Sequence, residues 1–160
     1  MVEKFHFKLG LRGKVTEQSI FNHSYKFLKE QGVPAKNMDN NVCMYEDYNT
    51  RNRCAVGCLL TKEELNKKIE VSSWYVPDSL LESKYRSTGN KVKIAMKDFV
   101  GGVDELGRLG VLPERFMPFV DLLCEIQSIH DECEDFTNID EDYAELAEKH
   151  NLKFKKIGEN

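Results

Sequence analysis

The chain has 160 residues, 41% of them hydrophobic and 31% charged, with a net charge of −4. That is enough for one domain with its own core, and it describes a globular chain rather than a disordered one. It excludes a general nucleic-acid binder, which needs a strongly basic surface, and no apolar run approaches the roughly 20 residues of a membrane-spanning helix.

In chain order, MVEKFHFKLGLRGK is charged and lacks the continuous apolar core of a secretion signal. TEQSIFNHSYKFLKEQG predicts a helix with Thr16 as its N-cap and Gly32 as its stop; Ile20, Phe21, Ser24, Phe27 and Leu28 share one face. The turn formers of VPAKNMDNN follow. VCMYEDY alternates, NTRN turns and RCAVGCLL is apolar, which predicts a small hairpin around 42–59. Its second arm also reads as a buried helix, since so short an apolar run has no decisive period. Thr61 with Glu64 three residues on is a capping box that opens a helix.

VSSWYVPDSLLESKYRSTGN is irregular, and about 70–90 is expected as a mobile excursion. KVKIAMKDFVGGVDELGRLG places Val92, Ala95, Met96, Phe99, Val103 and Leu106 on one helical face, weakened at Gly101-Gly102. In LPERFMPFVDLLCEIQSIHDEC, Pro113 stands near the first turn and Pro118 delays the start. Phe119, Leu122, Leu123, Ile126 and Ile129 make this the core helix. A last helix is expected from Asn138, with Glu141 three on. The expected class is α+β: a mainly helical single domain, residues 1–160, with about five helices and the small hairpin.

The segment CMYEDYNTRNRCAVGCLLTKEEL, Cys43 to Leu65, with the later LLCEIQSIHDE and the closing YAELAEKHNL, resembles small uncharacterised proteins of tailed bacteriophages. The likeness covers the first helix and 43–65 well, 105–152 fairly, and 66–104 little. It implies a phage origin, expression in the bacterial host cytoplasm and an accessory role. It implies no reaction.

There are five cysteines, an odd count, which argues for a reducing compartment and against a disulfide framework. Three readings compete for them. Cys43, Cys54, Cys58 and His130 form a possible zinc set, three thiolates and an imidazole. Alternatively Cys54 or Cys58 is a nucleophile with His130 as base. That needs a thiolate in an apolar stretch that disfavours one, and Asp131, about 100° round the helix from His130, is poorly placed to orient the ring. In the third reading both cysteines are core, Gly57 allows a helix to approach closely, and His130, Asp131 and Gln127 hydrogen-bond backbone. The third asks for nothing special and is preferred, so no cofactor is expected. A separate candidate is YRSTGNKVK: Arg86, Ser87, Thr88, Gly89, Asn90 and Lys91 before a helix would offer free N–H groups to an anion.

Charge is uneven. Asp131 to Glu148 holds nine acids and no Lys or Arg, and Lys84 to Lys97 holds five basic residues; both runs read first as solvated faces. The function expected is non-enzymatic binding of a host protein, inhibiting or redirecting it, with no membrane role and no general nucleic-acid binding. A nucleotide-like ligand at the 86–91 loop, with Trp74, Tyr75 and Tyr85 nearby, is the second reading, and a Cys–His enzyme the third.

Overall fold

The computed structural model describes residues 10–35, 45–47, 50–132 and 136–158. Among them the chain forms six α-helices and two strands. The helices are α1 (Glu17–Gln31), α2 (Lys62–Asn66), α3 (Ser83–Arg86), α4 (Val103–Arg108), α5 (Val120–Glu132) and α6 (Ile139–His150). The strands are β1 (Lys68–Ser72) and β2 (Lys91–Ala95), and short 3-10 turns fill several of the connections. The class is α+β and mainly helical.

The capped helices form where local chemistry specifies them. The Thr16 hydroxyl accepts the Ser19 N–H at 3.0 Å and the Ser19 hydroxyl accepts the Thr16 N–H at 2.8 Å, so two otherwise orphaned donors are satisfied. Thr61 and Glu64 do the same for α2. α1 ends at Gly32 in the left-handed region, φ 82°. Pro118 confines the start of its segment to a 3-10 turn, and α5 begins at Val120. α6 starts after Asn138, whose side chain makes no capping bond, contrary to the capping box expected there.

The sheet lies elsewhere than expected. Among the described residues, 42–59 holds a single antiparallel bridge, Glu46 with Arg53, and the apolar arm folds into a 3-10 turn over Gly57–Leu59. The pair that forms is β1 with β2, antiparallel, with Ile69 opposite Ile94 and Val71 opposite Val92. β2 therefore replaces the first part of the long helix expected over 91–108, and only α4 survives from it. KVKIA satisfies both periods over five residues. Its Val and Ile are stiff at χ1 and favour a pleated partner when one is present.

One cluster of buried residues runs from α1 through the 54–60 segment and α5 to α6. Phe21, Tyr25, Tyr143 and Phe154 pack ring on ring at 5.0–5.8 Å. The Tyr143 hydroxyl donates to Ser24 Oγ at 2.9 Å, which donates on to the Phe21 carbonyl. The interior also holds a buried ion pair: Arg53 Nε and an η-nitrogen both reach Glu46 Oε2, at 3.1 and 2.9 Å. Arg53 also donates to the Leu60 carbonyl at 3.2 Å, so each of its three nitrogens has a partner in the low-dielectric interior. Among the described residues no helix is long and apolar enough to cross a membrane.

Candidate functional site

Arg53 to Leu60 is buried at every position. That is why neither period stood out in RCAVGCLL: a segment covered on all sides is apolar on all sides. A buried loop must still satisfy its backbone, and this one borrows partners from the rest of the fold. The Cys58 carbonyl is met by His23 Nε2 at 3.0 Å and by the Gly10 N–H at 3.2 Å; the Leu59 carbonyl accepts the Leu11 N–H at 2.8 Å. The Val56 N–H donates to Gln127 Oε1 at 3.3 Å. Gly57 is approached by the backbone of Tyr45 rather than by a helix: a Cβ there would fall onto the Tyr45 carbonyl oxygen.

Cys54 and Cys58 are completely enclosed. Cys54 Sγ accepts the Gly57 N–H at 3.2 Å and Cys58 Sγ donates to the Ala55 carbonyl at 3.1 Å. Burial pushes the Cys54 thiol up to about 12, and pushes Cys58 well above its ordinary value. Neither thiol is a thiolate at neutral pH.

His130 is buried as well, and both ring nitrogens are taken. Nε2 lies 2.9 Å from the Ala35 N–H. A backbone N–H only donates, so Nε2 accepts and the ring proton sits on Nδ1, where it donates to Asp131 Oδ1 at 2.9 Å. Asp131 does orient this ring, contrary to the expectation from helical angles. Gln127, one turn earlier, donates to the same Oδ1 at 2.6 Å and draws the carboxylate back along the helix. The order Val56, Gln127, Asp131, His130, Ala35 is one polar chain that ties two loops to α5. It leaves His130 no free nitrogen for a metal or for a thiol proton. Among the described residues no three His, Cys, Asp or Glu side chains are grouped as a metal would require; Cys43 lies outside the described residues.

The chemistry of these thiols is open to measurement. In the folded protein iodoacetamide at pH 8 should modify Cys124, which is only partly buried, before Cys54 and Cys58. Peptide mapping should find those two unmodified until urea unfolds the chain. Unfolded thiols ionise near 8.5, whereas the folded Cys54 holds its proton to about 12. Above pH ~8.5 the unfolded state therefore binds fewer protons. Stability should fall as pH rises from there, by about 1.4 kcal/mol per pH unit for each buried thiol. A urea midpoint unchanged between pH 8 and 10 would contradict this.

The 86–91 loop is not the start of a helix. It leaves α3 at Ser87 and enters β2 at Lys91, so it presents no row of free helix N–H groups. Arg86 is spent on the fold: its Nε donates to the Val76 carbonyl at 2.9 Å and its guanidinium pairs with Asp78. Ser73 Oγ donates to the Arg86 carbonyl at 2.7 Å and Ser72 Oγ to the Gly89 carbonyl at 3.2 Å. Gly89, at φ 72°, lies under the Trp74 ring, which a side chain there would strike. Thr88 and Asn90 complete the turn, with the Asn90 N–H donating to Thr88 Oγ1 at 3.2 Å.

These bonds brace an excursion that shows large apolar side chains to solvent: Trp74 is 62% exposed, Tyr85 52% and Leu80 50%. Sequence reasoning noted Trp74 and Tyr85 only as stacking groups for a base, and it missed Leu80. The available signal was the clustering of aromatic and aliphatic residues in a stretch with no amphipathic period. A separate cleft of about 720 Å³ is lined by Glu64, Lys67, Met96, Leu112 and Arg115 among others. Arg115 is already clamped there, with both terminal nitrogens on Glu64 at 2.6 and 2.9 Å. No protein-family model matches this chain, and none of the curated proteins or solved structures compared with it matches either.

Proposed function

We propose that this chain is a tailed-phage accessory protein that works in the bacterial cytoplasm by binding a host protein and inhibiting or redirecting it, without catalysing a reaction. The observation that carries the binding reading is the braced excursion over 72–90, with Trp74, Leu80 and Tyr85 exposed on it. Tryptophan and tyrosine are the side chains that anchor protein interfaces, because they bury much area while losing few rotamers. Holding them on a hydrogen-bonded support lowers the entropy lost on association. The two enclosed, protonated thiols and the fully engaged His130 support a role other than Cys–His chemistry. The phage assignment is supported by the resemblance over 43–65 and 105–152. The exposed acids Glu141, Glu145 and Glu148 of α6 add a surface that steers basic partners.

Immobilised protein exposed to bacterial lysate should retain a partner at about one per chain. Trp74→Ala should weaken that capture by roughly 30-fold, the loss of about 2 kcal/mol expected for an interface anchor, while the melting temperature stays near wild type. A lysate that yields no stoichiometric partner would remove this reading.

A further inference from the structure

We propose that β2 accepts an acidic, extended segment of a protein partner as a third strand; the proposal rests on the binding reading above and gives it a seat. The pairing of β1 with β2 continues at both ends: the Met96 N–H donates to the Lys67 carbonyl and the Ser73 N–H to the Asn90 carbonyl. Hydrogen-bonded pairs alternate along an antiparallel ladder. Ile69 with Ile94 and Val71 with Val92 are therefore the bonded pairs. The N–H and C=O groups of Lys91 and Lys93 point away from β1, and no other described residue takes them. Such an edge is a template for another strand.

A groove of about 300 Å³ lies alongside. It is lined by 92–95 of β2 together with Val76, Leu80 and Leu81. Successive strand residues point to opposite faces; the groove touches four of them in a row and also Lys68 of the paired strand, so it is not confined to one face of β2. It offers apolar seats for alternate side chains of an added strand, and half-exposed Leu80 forms part of its wall.

Charge selects the occupant. Lys91 and Lys93 are exposed on this strand, Lys68 and Lys93 line the groove, and Asp98 is its one acid among the described residues. A second copy of the chain, added antiparallel through β2, would bring lysine against lysine, which is unfavourable. An acidic strand meets complementary charge along the same edge. The edge of β1, with Lys68 and Glu70, is mixed in sign and carries no such preference.

The test uses the full chain and a fluorescein-labelled seven-residue peptide that alternates glutamate with valine, against its lysine/valine counterpart. Anisotropy should show saturable binding of the acidic peptide alone. NMR hydrogen exchange should show the Lys91 and Lys93 amides slowed on binding. Lys93→Pro removes an outward N–H that β1 does not use, together with one charge, and should weaken binding at least about 10-fold. Lys93→Glu keeps the N–H and should shift preference toward the lysine/valine peptide, so it decides the matter if the proline variant does not fold. Failure of the acidic peptide to bind, or binding that leaves both amides exchanging freely, overturns the proposal. A lysate partner still captured by Lys93→Pro would keep the binding reading and remove β2 as its seat. Peptide binding as described without any lysate partner would keep the strand site and remove the host-protein reading.

Discussion

Gly57→Ala will destabilise the protein by at least about 3 kcal/mol, the scale of a severe core overpacking. The new methyl would fall onto the Tyr45 carbonyl oxygen, a backbone atom that no rotamer change can move. That carbonyl already accepts the Cys54 N–H at 3.4 Å, and the Tyr45 hydroxyl donates to the Gly101 carbonyl at 3.1 Å. A shift large enough to admit the methyl therefore pulls on the bridge between Glu46 and Arg53 and on their buried ion pair. Equilibrium urea unfolding measures the loss. Gly107→Ala is the matched control: it lies within α4, where a Cβ meets nothing nearer than a Val120 methyl at 3.4 Å. It should be neutral or stabilise by up to about 1 kcal/mol through helix propensity. Equal effects at the two sites would show that the approach of Tyr45 to Gly57 is not tight.

His130→Ala is expected to cost about 3–5 kcal/mol, because it combines a cavity with an orphaned donor. The ring is fully buried, so its volume is lost from the core. The Ala35 N–H then loses its His130 acceptor, and Asp131 loses one of its donors. His130→Gln, whose amide oxygen reaches as far as Nε2, should recover part of the loss, since it restores an acceptor for Ala35. Asp131→Asn should cost under about 1 kcal/mol, because that side chain is 40% exposed and water can replace it. The specific readout is exchange of the Ala35 amide: slow in wild type, fast in His130→Ala, and intermediate in the glutamine variant. An Ala35 amide equally slow in all three would break the link between the His130 ring and the loop.

The two substitutions probe features that were legible to different degrees. A small residue in CAVGCLL already pointed to a close approach at Gly57, but the approaching element is the backbone of Tyr45 and not a helix. Gln127, Ile126 and His130 stood on a helix whose apolar face was plain, and the reach of Gln127 to backbone followed from its place one turn before Asp131. The acceptor role of His130 toward Ala35 did not, since the two residues are 95 apart in sequence and nothing local connects them. The six residues from Arg86 to Lys91 were read as an anion loop on the premise of a following helix. When 91–95 pairs with 68–72 instead, that premise goes and Arg86 becomes a brace.

By itself the sequence determined the elements whose signals are local. α1 is set by its Thr16 N-cap and Gly32 stop, α2 by its capping box, the start of α5 by Pro118, and the core face of α5 by Leu122, Leu123 and Ile126. Sealing of the cysteines is foreshadowed by an apolar run with no polar side. These follow from hydrogen bonds and periodicities spanning three or four residues. Tertiary structure alone decided where the sheet forms, which ring nitrogen of His130 carries the proton, and that Trp74, Leu80 and Tyr85 face solvent on a braced excursion. A five-residue run such as KVKIA fits either period, and its conformation depends on whether Ile69 and Val71 lie opposite it to supply bonds and apolar contact. That pairing is a long-range event, decided by the whole core rather than by the strand's own residues.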